Sequence, residues 1–147
     1  MPPSYTVTTI AGQAGEYGTS NGIGTNALFS DPQGIAADAI TNLYVADTYN
    51  QTIRKITPAG LVSVFAGQVG IMGTNNGTGT LATFNNPSAM VADKTGNLYV
   101  VDNGTAIRKV STNGTVTTLA GKSGVSGFAN GTGTNATFGN LTGIALD

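Results

Sequence analysis

The side chains able to move protons or hold ions are few: the chain contains no histidine and no cysteine, and its acidic residues are Glu16 and six aspartates. Without imidazole or thiolate, the chain has no Cys- or His-based metal site and no His- or Cys-based catalysis. Carboxylate chemistry remains, as proton transfer or as oxygen coordination of a hard cation. The spacing of the aspartates argues against both. Asp38, Asp93 and Asp147 stand at one point of a recurring pattern, and Asp47 and Asp102 at another, followed by Arg54 and Arg108. A carboxylate that returns once per unit is architectural, so Asp47 and Asp102 are expected to bind turn amides or pair with Arg54 and Arg108 and fix each unit. No catalytic, cofactor-binding or metal-binding residue is assigned, no cofactor is expected, and the chain reads as a non-enzyme.

The pattern that places these residues is an internal repeat. VTTIAG (Val7 to Gly12) returns as VSVFAG (Val62 to Gly67) and VTTLAG (Val116 to Gly121), and NLYVAD (Asn42 to Asp47) as NLYVVD (Asn97 to Asp102). Equivalent residues lie 55 apart upstream of Asp102 (Asp47 to Asp102) and 54 apart downstream (Arg54 to Arg108), so one residue is missing between them. Thr48-Tyr49-Asn50-Gln51-Thr52 is answered by the shorter Asn103-Gly104-Thr105-Ala106, and a tight turn is expected there. Residues 62–93 and 116–147 share 15 identities in 32 positions, which points to duplication.

Each unit holds four short runs of β-branched, aromatic and aliphatic residues bounded by turn residues. They are GIAAD from Gly34, NLYVAD from Asn42, TIRKI from Thr52 and LVSVFAG from Leu61. Asp38 to Asn42, Asp93 to Asn97, Thr57 to Gly60 and Ser111 to Gly114 read as hairpin turns, which makes consecutive strands antiparallel. A longer connection, Gln68 to Ser88, leads to the next unit, with a short helical turn expected at Thr80 to Phe84. Phe29, Phe84 and Phe138 repeat without change and are expected in the core between units.

With these motifs in order (the NGTGT loop, the strand motif NLYV-D, and IRK followed by a turn), the chain from Val7 to Asp147 resembles the NHL repeat. The resemblance implies an all-β fold of four-stranded antiparallel β-propeller blades. Residues 34–67 would be one blade and residues 88–121 a second. Residues 7–12 would be a lone outermost strand, and residues 143–147 a lone innermost one. Propellers of this family commonly have about six blades. Two blades and two unlike strands do not close a propeller, so the reading is an incomplete one. Some relatives are amidating lyases that use metal-binding histidines, and this chain has none. Others bind RNA through a basic face, and others are interaction domains.

Composition sorts these classes. Six scattered cations and a net charge of −1 exclude nucleic acid as an expected partner. No stretch approaches the roughly 20 apolar residues of a membrane helix. Low charge without cysteine points to the outside of the cell or its surface. There are seven Asn-x-Ser/Thr triplets, several of which recur with the repeat and read as Asn-Gly-Thr turn chemistry. The expected function is a structural or interaction scaffold that associates with copies of itself through open blade edges, as an oligomer or a head-to-tail filament. The alternative is recognition of a peptide or glycan by the blade loops. Candidate interface residues are those where the connections disagree (Tyr17, Ile71, Met72, Val125 and Phe128), together with Gly143, Ile144 and Leu146 of the final segment.

Overall fold

The computed structural model describes residues 3–147 and contains two antiparallel sheets of five strands. In the first, β1 (Gly22–Ile23) pairs with β5 (Leu61–Ala66), which continues through β4 (Thr52–Ile56) and β3 (Leu43–Asp47) to β2 (Pro32–Ala37). The second repeats this order with β6 (Gly77–Thr78), β10 (Thr115–Gly121), β9 (Ala106–Val110), β8 (Leu98–Asp102) and β7 (Pro87–Ala92). These are propeller-type blades. The sequence accounts for four strands in each, and the structure adds a fifth: the first residues of the NGTGT motif pair with the outer strand, Gly77 against Val116 and Thr78 against Thr115. The outer edge of each blade is therefore covered, which removes an unpaired ladder from solvent. The helical turns lie at Gly24–Asn26, Gly79–Leu81 and Gly133–Asn135, a little earlier than the expected Thr80 to Phe84.

Side chains alternate across each sheet. On β3, Tyr44 and Ala46 point toward the second blade and Val45 points away. Tyr44, Ala46, Ile53 and Ala66 of the first blade meet Phe84, Met90, Leu98, Val100, Val110 and Val116 of the second in one buried cluster. Phe65 borders it, its ring centroid 5.0 Å from that of Tyr44. The inner strands β2 and β7 run so close that a Cβ on Gly34 would collide with the Ser88 carbonyl oxygen.

Turn chemistry sets the strand register. Asp38 Oδ1 accepts the Ile40 and Asn42 N–H groups, and Oδ2 accepts the Asn42 side-chain amide and the Tyr44 hydroxyl. Asp93 repeats the arrangement with Thr95, Asn97 and Tyr99. Between β8 and β9, Asn103 and Gly104 both have positive φ (54° and 64°), the geometry of a two-residue type I′ turn for which Asn-Gly is favoured. Val7–Gly12 and Gly143–Asp147, expected as lone strands, enter no ladder among the described residues, because the strands that would flank them in a blade are absent beside them. Gly12 is nevertheless held as Gly67 is, its N–H donating to Gly24 O at 3.1 Å where Gly67 N–H donates to Gly79 O at 3.0 Å.

Candidate functional site

The repeated acidic and basic residues form one clamp per blade. Arg54 Nη1 lies 2.8 Å from Asp47 Oδ2, and Arg108 Nη1 lies 2.9 Å from Asp102 Oδ2, all four side chains being buried. The guanidinium of Arg54 also donates to the Leu28 and Ser20 carbonyls and to Asn21 Oδ1, and that of Arg108 to the Thr83 and Asn75 carbonyls and Asn76 Oδ1. Arg54 lies over the Phe29 ring at 5.2 Å and Arg108 over Phe84 at 5.4 Å. Each arginine thus binds the incoming connection to its blade by hydrogen bonds and ring contact together. Phe138, the third copy, is only half-buried, and the chain holds no third arginine for it to meet.

Asp47 accepts Ser30 N–H and the Asn50 side-chain amide as well as Arg54. Asp102 accepts Asn85 N–H and Arg108, and Asn50 has no counterpart in the shorter turn. Burial pushes the Asp102 carboxyl up to about 6, against the downward pull of the Asn85 N–H and the Arg108 charge. The turn aspartates behave differently. Burial works to raise Asp38, but hydrogen bonds from Asn42, Ile40 and Tyr44 outweigh it and lower its pKa. Asn97 and Thr95 hold Asp93 well below the usual carboxylate range. Burial, helped by the Asp38 charge, pushes the Tyr44 hydroxyl up to about 12. Among the described residues no three His, Cys, Asp or Glu side chains converge.

The variable connection residues stand outside this clamp. The backbones of Tyr17, Met72 and Ser126 each bridge to Phe29, Phe84 and Phe138, while the side chains of Tyr17, Ile71, Met72, Val125 and Phe128 are exposed, Phe128 by 92%. Gly143 is exposed, Ile144 half-buried, and Leu146 borders a cavity with Val91 and Ala92 of β7.

Two other surfaces are better built. One is the free face of the first blade, an apolar groove of about 390 Å³ bordered by Ile10, Phe29, Ile35, Leu43, Val45 and Ile56. The other is a polar groove of about 460 Å³ at the end of the strands that carries the turns after β3 and β8. Tyr49, Asn86, Ser88, Asn103, Asn140 and Thr142 border it, and no charged residue does. Neither Tyr49 nor Asn103 was among the expected interface residues. The signal was present in the sequence, because the length difference between 48–52 and 103–106 falls there.

The fold and the clamp define an array of propeller-type blades, each fastened to the connection that precedes it. The chain is 34% identical over 89 residues to human NHL repeat-containing protein 2, an alignment that takes in 58% of this chain and 12% of that protein. A protein of unknown function from Bacteroides thetaiotaomicron is 34% identical with a TM-score of 0.66, over 73% of this chain and 28% of its own. An auxiliary nutrient binding protein from the same organism is 28% identical with a TM-score of 0.53, over 62% of this chain and 25% of its own. No family model matches the chain. The chain resembles NHL-repeat proteins in sequence, and it spans between 9% and 12% of the length of the curated relatives it matches.

Proposed function

We propose that the chain is a non-enzymatic binding scaffold that works outside the cell or at its surface and associates with copies of itself, blade face to blade face. One observation carries the reading. The residues around the apolar groove of the first blade, where Ala11 already packs beside the buried Val45 and Ile56 and Ile35 stays exposed, are the repeat counterparts of those the second blade buries against the first: Phe29 matches Phe84, Leu43 matches Leu98, Val45 matches Val100 and Ile56 matches Val110. Ile35 is 61% exposed, while Met90, its counterpart, is 8% exposed.

The free face of the second blade carries Tyr99, Ile107 and Leu119, the counterparts of Tyr44, Ile53 and Phe65 on the covered face of the first. The two free faces therefore match each other as the two covered ones do. That is a heterologous contact, which gives a ring if its rotation closes and a filament if it does not. Two residues of each outer strand are already paired by β1 and β6, and the matching apolar residues lie on the faces, so the association is assigned to faces rather than edges. The nutrient-binding neighbour and the lack of histidine support binding rather than catalysis, and the cysteine-free, weakly charged composition supports an external setting.

Light scattering of the chain at rising concentration tests this. The mean mass is expected to rise with concentration for the native chain and to stay monomeric for Ile35→Asp, with no change in fold because Ile35 is exposed within the chain. A native chain that is monomeric throughout contradicts the proposal.

A further inference from the structure

The polar groove is unlike the clamps and the blade faces in one respect: its lining comes mostly from positions at which the repeats disagree. Asp31, Asn86 and Asn140 are equivalent to one another, as are Gln33, Ser88 and Thr142, and Tyr49 lies in the turn where the two copies differ in length. Gly34, which lets the Ser88 carbonyl approach β2, is matched on β7 by Ala89, which borders the groove. The segment after the second blade is tied to the Asn103–Gly104 turn by Leu141 N–H donating to Gly104 O at 2.7 Å.

The chemistry of the lining is uniform. Tyr49 is 65% exposed, and among the described residues neither its hydroxyl nor the side chains of Asn103 and Asn140 make a hydrogen bond. Asn86, which borders the groove, accepts Gln51 Nε2 through its carbonyl oxygen at 2.9 Å, and its side-chain amide hydrogens make no hydrogen bond among the described residues. No carboxylate borders the groove; Asp31, close to Gln33 in sequence, is engaged by Gln33 Nε2 at 2.9 Å. Amide and hydroxyl groups offer donors and acceptors in pairs, which is what a ligand made of hydroxyl groups requires. An exposed phenol ring adds an apolar platform for the C–H face of a sugar ring. A cavity of this size holds a small ligand, and the absence of charge disfavours an acidic or basic one.

We infer that this groove binds a neutral oligosaccharide, with Tyr49 as the stacking platform and Asn86, Asn103 and Asn140 as its polar contacts. The site is complete within one chain, so its test is independent of self-association. The experiment is an NMR titration of the full chain with maltotetraose, xylotetraose and mannotetraose, with tetragalacturonate and tetraglycine as comparators. At least one neutral sugar is expected to shift the amide signals of Tyr49, Asn103, Gly104 and Asn140. Tyr49→Ala is expected to weaken that binding by about ten-fold, the size of one aromatic contact. Asn103→Gly, which removes the amide but keeps a turn-forming residue at positive φ, is expected to weaken it as well, with an unchanged melting temperature. The inference fails if no neutral sugar shifts those signals, if tetragalacturonate or tetraglycine binds more tightly, or if both variants bind as the native chain does.

Discussion

The clamp and the polar groove lie side by side at one end of the strands, and the two repeats treat them in opposite ways. Asp47, Arg54 and Phe29 are reproduced by Asp102, Arg108 and Phe84 with nearly the same distances. One residue beyond Asp47 the copies part: Thr48-Tyr49-Asn50-Gln51 in the first blade, Asn103-Gly104-Thr105 in the second. Residues that hold a connection on its blade cannot change singly, because a buried ion left without its partner is costly. Residues that face outward beside them carry no such constraint, so difference between copies collects there and gives the groove its composition.

The largest effect that can break this comparison comes from the clamp. Asp47→Ala and Asp102→Ala are each expected to destabilise the fold by about 3–5 kcal/mol, because each strands a buried guanidinium; denaturant unfolding that finds either one neutral removes the architectural role. Next comes the close approach of the inner strands. Gly34→Ala is expected to cost about 1–3 kcal/mol through overpacking against Ser88, while Ala89→Gly costs less than about 1. Asn50→Ala, which removes the donor to Asp47 and Gly18 O, is expected to cost about 1 kcal/mol per bond lost.

The smallest effect is a pH dependence carried by Asp102. Burial raises the folded pKa of Asp102 to about 6 from its ordinary value of 3.8. Its protonated form is therefore favoured by folding, and the stability this contributes is complete below about 4 and lost as pH rises through about 6. The melting temperature of the native chain relative to Asp102→Asn is expected to increase as pH is lowered from neutrality toward about 4. The opposite slope would assign the dominant influence to Arg108.

The parts of this architecture that depend on short-range rules were legible in the sequence. Alternation on Leu43 to Asp47, the Asn103-Gly104 turn and the Asp38 and Asp93 turns each rest on neighbouring residues alone. The fifth strand was not legible, because Gly77-Thr78 has no strand pattern of its own and pairs only where β10 offers a free edge. The polar groove was hidden for a different reason: its residues come from five separated segments, and only the stacking of the blades brings them together. Disagreement between copies was the usable signal. It was visible at Tyr17, Met72 and Phe128, where it marks exposed connections, and at Tyr49, where it marks a built surface.

The central claim is that the two free faces match each other, and a complementation experiment tests it most directly. Ile35→Asp blocks the free face of the first blade, and Leu119→Asp blocks that of the second. Each variant alone is expected to sediment as a monomer, because a head-to-tail contact needs one face of each kind. Mixed in equal amounts they are expected to form a one-to-one dimer through the two intact faces. A mixture that stays monomeric while the native chain assembles would contradict the head-to-tail account.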